Sequence, residues 1–406
     1  MTALFKTVES GWIFFRQPSI WRLCLSRWLS DWGDATHVLA FNWLVIARTG
    51  SAGAAGLCSA LWLIGQLLGS WPGGWLADRR SARSLLLSSY LLHSLVVSAC
   101  AIAFWLNSPI GVLAGLSMLL GSLGALHDPA QRSYLKQLCK DDQQLARLNG
   151  LLTGGGALAQ CGGPLLAGWM LTWASAALPF WCNAVSFVLA AFLIWGLPAP
   201  GRASGEAPVS VAGSVWQQLK PLRFILPGGL AFLLGPAPLL VSFLPYYVQH
   251  VRGWSAGSLG LLEASRSAGL GIGVLCGSFL IARGLPLHRT VRLTLVALII
   301  PLVGFWLSEE STSATLASWL VVLGLLAGGA YVCLNQLFLQ EVGTDWIGRV
   351  TATLSAIAGI GLFLGWLTWS WVIDHLGYPV ALRSAVFVFA LGLIPALIPQ
   401  KYPSKN

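Results

Sequence analysis

The chain has 406 residues, of which 56% are hydrophobic by type and only 9% are charged. Soluble globular proteins carry about 25% charged residues, so composition alone excludes a water-soluble fold. The net charge of +10 does not point to nucleic acid, because the basic residues stand in short clusters between apolar runs rather than on one solvated face.

A mean hydropathy of +0.73 and 46 glycines in so apolar a chain indicate a polytopic membrane protein. A spanning helix takes roughly 20 residues, so this length holds about twelve. In chain order the apolar runs predict spans at 20–47, 53–77, 84–106, 109–128, 146–171, 175–197, 222–249, 256–282, 289–308, 314–339, 350–373 and 379–399. The fold class that follows is an all-α integral membrane protein. With the N-terminus placed in the cytoplasm, the inner segments hold twenty of the twenty-four Lys and Arg residues. The outer segments hold only Arg48 and Arg252, while Arg266 and Arg383 fall inside spans. This asymmetry predicts two cytoplasmic termini and an even number of spans. Met1-Thr2-Ala3 followed by Lys6 and Arg16 does not read as a cleavable signal. The eight cysteines form no C-x-x-C pair and read as buried thiols, with neither a disulfide nor a metal framework expected.

The segment from Pro198 to Lys220 opens P-A-P-G-R-A-S-G-E-A-P and is expected to be non-helical. It divides the chain into a six-helix half at 1–197, a cytoplasmic linker at 198–221 and a second half at 222–406. The halves echo each other. G-G-W-L-A-D-R at 73–79 aligns with G-S-F-L-I-A-R at 277–283, an offset of 204. Arg147-Leu148-Asn149-Gly150 aligns with Arg349-Val350-Thr351-Ala352, and Trp169 with Trp371, both at an offset of 202. N-A-V-S-F at 183–187 aligns with S-A-V-F-V at 384–388, an offset of 201. Two six-helix repeats are a recurring transporter architecture, with the substrate site between them near the bilayer midplane.

The loop G-G-W-L-A-D-R-R-S-A-R at 73–83 resembles the signature loop of the major facilitator superfamily, roughly G-x-L-a-D-r-x-G-r-[RK]. Gly74, Leu76, Ala77, Asp78, Arg79 and Arg83 match, and Ser81 stands where the family often has glycine. Further likeness comes from S-D-W-G-D-A-T-H-V-L-A-F-N-W-L-V-I-A-R-T-G-S in span one and D-P-A-Q-R after span four. R-L-N-G entering span five and G-P-L-L-A-G at 163–168 add to it. Together these are similar to the bacterial branch that holds macrolide-efflux and siderophore (enterobactin-type) exporters. The resemblance implies two pseudo-symmetric six-helix bundles and export by alternating access, powered by the proton-motive force. In the signature loop, Asp78 can pair with an Arg or cap a helix. Arg79, Arg80 and Arg83 can hold headgroups or fasten the loop. Such contacts set the balance between gating states; as the plainer alternative, the loop is a positive-inside anchor. The second copy has Ala282 where the first has Asp78, so the halves are not gated identically.

Acidic groups within spans are costly and usually face a cavity or a partner. Asp31 and Asp34 lie three residues apart on one face of span one, Asp34 deeper by about 4.5 Å. His37 and Asn42 follow on that face. Asp31 reads best as an interfacial partner of Arg27, and Asp34 as a proton or substrate site. His37 is a relay candidate or a packing residue. Glu263 and Arg266 form an i, i+3 pair in span eight, read either as a static internal ion pair or as one that a proton or ionic substrate breaks. His93, His127, His250, His288 and His375 are scattered, without metal-ligand spacing. Among the 21 tryptophans, Trp75, Trp105, Trp173, Trp195, Trp254, Trp306 and Trp346 fall near span ends as an aromatic belt, while Trp32, Trp43, Trp62, Trp366 and Trp369 lie deeper. In the family, spans one, four, seven and ten line the cavity, which ranks Asn335 of span ten with Asp34 and Asn42.

Gly154, Gly155, Gly156, Gly162, Gly163, Pro164 and Gly168 crowd span five and resemble the superfamily's antiporter signature. Gly154-x-Gly156-x-x-Ala159 follows no strand, so it is not a dinucleotide fingerprint. Walker loop, H-E-x-x-H and G-x-S-x-G are absent, so neither an enzyme nor a cofactor is expected. The expected protein is a monomeric exporter in the bacterial inner membrane whose partners are protons, membrane lipids and a small-molecule substrate. Import on the same fold is the alternative direction. The buried cations Arg266 and Arg383 favour an anionic or polar cargo, a siderophore first and macrolide or other drugs second, unless Glu263 neutralises Arg266.

Overall fold

A computed structural model of the chain describes residues 17–139, 141–198, 215–308, 310–342 and 346–398. Helices make up most of the described residues, with no strand among them. The first six are α1 (Pro18–Thr49), α2 (Ala52–Arg79), α3 (Ala82–Trp105), α4 (Ile110–Leu138), α5 (Asp142–Trp173) and α6 (Leu178–Trp195). Their boundaries follow local chemistry. Ser81 caps α3 by accepting from the Ser84 amide, and Asp141 caps α5 by accepting from the Gln144 amide at 2.7 Å.

Spans seven, nine and twelve are not the continuous helices that apolar length predicts. Span seven breaks into α8 (Leu226–Leu234), α9 (Pro236–Val241), α10 (Leu244–Tyr246) and a π turn at Tyr247–Val251. Pro227, Pro236, Pro238 and Pro245 explain this, because each removes an amide donor and crowds the preceding turn. Span nine divides at Leu298 into α12 (Leu287–Ala297) and α13 (Ile299–Leu307), and span twelve into α16 (Tyr378–Gly392) and α17 (Ile394–Leu397). The interdomain segment also departs from expectation. Residues 199–214 lie outside the described residues, but its end is helical, with α7 at Val215–Leu219 and a 3-10 turn at Lys220–Leu222. The remaining long helices are α11 (Ala256–Ala282), α14 (Ser313–Glu341) and α15 (Ile347–Leu376). Eight described helical stretches are long and apolar enough to cross a membrane. The polar α1 is not one of them, since Arg22, Arg27, Asp31, Asp34 and Arg48 interrupt it.

Contacts divide the chain into two compact units. Unit 1 comprises Met1–Thr49, Leu57–Ala207 and Ser255–Gly260; unit 2 comprises Gly50–Gly56, Pro208–Trp254 and Leu261–Asn406. In unit 1, α1 packs on α5 and α6, and α3 packs on α4 and α6, around Ile20, Leu23, Tyr90 and Phe180. In unit 2, α12 and α13 pack on α14, and α8 packs on α15 and α16, around Phe243, Tyr247, Phe305 and Phe389.

Each unit contains a glycine seam. Gly65, Gly69 and Gly73 of α2 bring it against the backbone of α4 at Met118, Ser122 and Ala125, where any β-carbon would overlap a carbonyl. Gly269 and Gly273 of α11 do the same against Val321 and Leu325 of α14, and Gly277 lies close to Gly329. The two G-x-x-x-G-x-x-x-G runs are offset by 204, the interval of the aligned loops that follow them. A second repeat is S-A-G-A-A-G at 51–56 and S-A-G-S-L-G at 255–260. In unit 2, Asp374 accepts from Ser51 Oγ, the Ala52 amide and the Gly53 amide at 2.7, 2.8 and 2.9 Å. In unit 1, Thr172 Oγ1 accepts from the Gly257 amide at 3.1 Å.

Candidate functional site

Midway along α1, Gly33 clears space for α6: a β-carbon there would strike Asn183 Oδ1 and Ser186 Oγ. The close approach places Asn183 Nδ2 3.2 Å from Asp34 Oδ1, to which it donates. Asp34 is exposed, and no cation pairs with it among the described residues. One turn earlier, Asp31 takes an ion pair from Arg27 at 2.8 Å. Arg27 also donates to Gln131 Oε1 and lies 3.9 Å from Asp128. The two aspartates thus have different company, a guanidinium for Asp31 and an amide for Asp34. His37 is buried, 5.7 Å from Phe41 and 5.0 Å from Phe180 between ring centroids, and its Nδ1 has no hydrogen-bond partner among the described residues. It is a packed ring here. Asn42 is half-buried two turns beyond Asp34.

In unit 2, Arg266 donates through Nε and Nη2 to Glu263 Oε2 at 2.9 and 2.8 Å. Both hydrogen bonds end on one carboxylate oxygen, so the pair is closed and its charges cancel. Arg383, the other cation predicted within a span, is exposed and lies 5.6 Å from the Trp306 ring. Asn335 is exposed and donates to the Tyr331 carbonyl of its own helix at 3.0 Å. Neither it nor the Glu263–Arg266 pair belongs to the unit that holds Asp34.

The signature loop is placed in part. The Asp78 side chain lies outside what the structure describes. Gly74 has open space on its Cβ side, and Arg79 lies over Trp75 at 4.2 Å. Arg83 donates to the Trp195 carbonyl, and Arg22 donates to the Gly196 carbonyl at 2.7 Å. These arginines therefore tie α1 and α3 to the end of α6.

Two histidines that look scattered in sequence are neighbours. His93 and His127 lie 6.3 Å apart, both buried, with Ser89 between them. Ser89 Oγ is 3.0 Å from His127 Nδ1, and the Ser89 carbonyl is 2.8 Å from His93 Nδ1. Packing of α3 on α4 brings together residues 34 apart, which no spacing motif records. No three His, Cys, Asp or Glu side chains among the described residues form a metal-binding group.

The crowded glycines of α5 have separate partners. A β-carbon at Gly155 would overlap the Trp28 indole, one at Gly162 the Trp32 indole, and one at Gly163 the Ala35 methyl. Trp28 Nε1 donates to the Leu151 carbonyl at 3.2 Å. Between α1 and α5 lies a cavity of about 540 Å³, lined by Trp28, Trp32, Arg147, Leu151 and Leu158 over Gly150, Gly154 and Gly155. Of the other deep tryptophans, Trp366 donates to Ser242 Oγ at 2.8 Å and Trp369 to the Leu234 carbonyl at 2.6 Å, so both are packing residues. Trp346, expected in the aromatic belt, is buried.

Comparison with known proteins agrees with this architecture. The Major Facilitator Superfamily family model matches residues 23–366. The multidrug efflux pump Tap of Mycobacterium tuberculosis (strain ATCC 25618 / H37Rv) is 24% identical over 389 residues, covering 90% of each chain. Among solved structures, a bacterial homologue of the iron transporter ferroportin in its inward-facing state superposes with a TM-score of 0.74 at 17% identity, over 93% of this chain and 98% of that one. The nucleoside transporter NupG gives 0.73 at 12% identity over 94% and 100%, and a D-xylose-proton symporter 0.72 at 12% identity over 94% and 96%.

Proposed function

The chain belongs to the Major Facilitator Superfamily, a multi-pass membrane transporter, and from that premise we propose that it is a proton-driven exporter of small amphipathic organic molecules. It works as a monomer in the bacterial inner membrane, surrounded by lipid, with both termini in the cytoplasm. The observation that carries this reading is Asp34. A carboxylate in mid-span, open to its surroundings and steadied by an amide instead of a cation, can take and release a proton without first breaking an ion pair. Asn42 and His37 line the same helix beyond it. Glu263 is the second choice, because its proton must compete with Arg266.

Export in preference to import is favoured by the likeness to Tap and by the glycine-rich α5. The closed Glu263–Arg266 pair removes the buried free cation on which a siderophore cargo leaned, so drug-like amphiphiles take first place and a siderophore second. Asn335 stays a cavity-lining candidate. Gly74, Asp78, Arg79 and Arg83 form the gating loop, and Asp78→Asn is expected to slow turnover several-fold while leaving substrate affinity unchanged. Equal turnover at equal expression would reduce that loop to an anchor.

The test uses everted membrane vesicles energised by respiration, with anilinonaphthalene sulfonate and ethidium as fluorescent anionic and cationic probes. Uptake that collapses with a protonophore and is lost in Asp34→Asn is the expected result. Full gradient-driven uptake by both Asp34→Asn and Glu263→Gln overturns the assignment.

A further inference from the structure

The cavity between α1 and α5 lies entirely within unit 1. Its wall on α5 is one stripe, Arg147, Gly150, Leu151, Gly154, Gly155 and Leu158, at intervals of three and four residues. Its wall on α1 is Trp28 and Trp32, one turn apart. The two indoles are held in place: Gly155 and Gly162 leave room for them, and the Trp28 N–H donates to the Leu151 carbonyl. Gly150 and Gly154, in contrast, have nothing within 4 Å of where a side chain would begin. The space in front of them is unfilled because α5 lacks side chains there. At about 540 Å³ it matches the range of roughly 300–1,000 Å³ typical of small-molecule sites. One charged residue lines it: Arg147, half-buried, whose guanidinium has no hydrogen-bond or ion-pair partner among the described residues.

We propose that this cavity is a binding subsite for an anionic amphiphile, with the apolar body lying against the Trp28 and Trp32 indoles and the carboxylate, sulfonate or phosphate on Arg147. Indole faces and leucines accept a flat or aliphatic body without demanding one shape. A guanidinium grips an oxyanion by paired hydrogen bonds. The proposal deepens the export reading by naming a cargo class and rests on it for that role. The same chemistry fits an anionic phospholipid headgroup with part of its chain, so the experiment separates the two sources.

Full-length protein in phosphatidylcholine nanodiscs is titrated with anilinonaphthalene sulfonate, and in parallel with ethidium, at equilibrium and with no proton gradient. Arg147→Gln is expected to weaken the anionic probe about tenfold, the scale of one charge-assisted contact, and to leave ethidium unchanged. Gly154→Leu fills the open space and is expected to abolish saturable binding of the anionic probe; because nothing there is displaced, it retains the parent's thermal stability. Replacing a third of the lipid with phosphatidylglycerol identifies the source. Competition with the probe assigns the site to membrane lipid, and its absence assigns it to soluble cargo; both uphold the subsite. Parent-like binding of the anionic probe by both variants, or an equal loss of both probes in Arg147→Gln, overturns it. Asp34→Asn keeps this binding, so failure of proton coupling and failure of the subsite give different results.

Discussion

Each unit of this transporter holds a polar site on a long helix, and the two are satisfied in opposite ways. In unit 1, Asp34 faces an amide; in unit 2, Glu263 faces a guanidinium on its own helix. An amide leaves the carboxylate's charge uncompensated, so the group can change charge without dismantling its surroundings. A two-bond guanidinium fixes both charges, and either partner alone becomes a liability. A membrane acid therefore says little about coupling until its partner is known.

Five single substitutions and one double replacement put pressure on the comparison of the two units, beginning with the strongest. Asp34→Asn is expected to abolish proton-driven transport while the protein stays as thermostable as the parent, because the replacement amide still fits beside Asn183. Thermal unfolding and vesicle uptake measured on one preparation check this, and a large fall in stability would make Asp34 structural. Glu263→Gln is expected to cost about 3 kcal/mol by leaving Arg266 unpaired. The double replacement Glu263→Gln with Arg266→Gln recovers most of it. If the single variant instead loses coupling at parental stability, the two sites exchange roles.

Gly162→Ala is expected to cost about 1–3 kcal/mol, since the added methyl overlaps Trp32 and the helices must separate. Unfolding in mild detergent reads it directly, and a neutral result would mean that α5 is not seated on that indole. The smallest effects concern the repeated S-A-G-x-x-G turns. Asp374→Asn removes a charged acceptor of three hydrogen bonds and is expected to cost about 1.5 kcal/mol, against about 0.5 for Thr172→Ala. Hydrogen exchange at the Gly53 and Gly257 amides ranks the two, and equal acceleration would erase the asymmetry.

Hydrophobic length and basic clusters made the helical membrane fold legible from composition onward. The breaks in spans seven, nine and twelve were less so, because hydropathy averages over proline and reports only burial. The Glu263–Arg266 pair was readable, since helical spacing alone brings residues three apart together. The Asp34–Asn183 contact was not, as it joins residues 149 apart through Gly33, a residue whose importance lies in what it lacks. The His93–Ser89–His127 group was hidden for the same reason. The seams at 65–73 and 269–277 stood in the sequence at the interval of the recognised repeat, but glycines at every fourth position are frequent in membrane helices and carry no meaning until a partner backbone is seen.

The open faces of Gly150 and Gly154 have a consequence for how this protein can change. Gly155, Gly162 and Gly163 of α5 each have an indole or a methyl pressed against them, so mutation there damages the scaffold before it alters recognition. At positions 150 and 154 a side chain enters empty volume at little cost in packing. A population under selection for a new compound can therefore explore those two codons freely, and variants of altered specificity are expected to accumulate there while their neighbours stay silent.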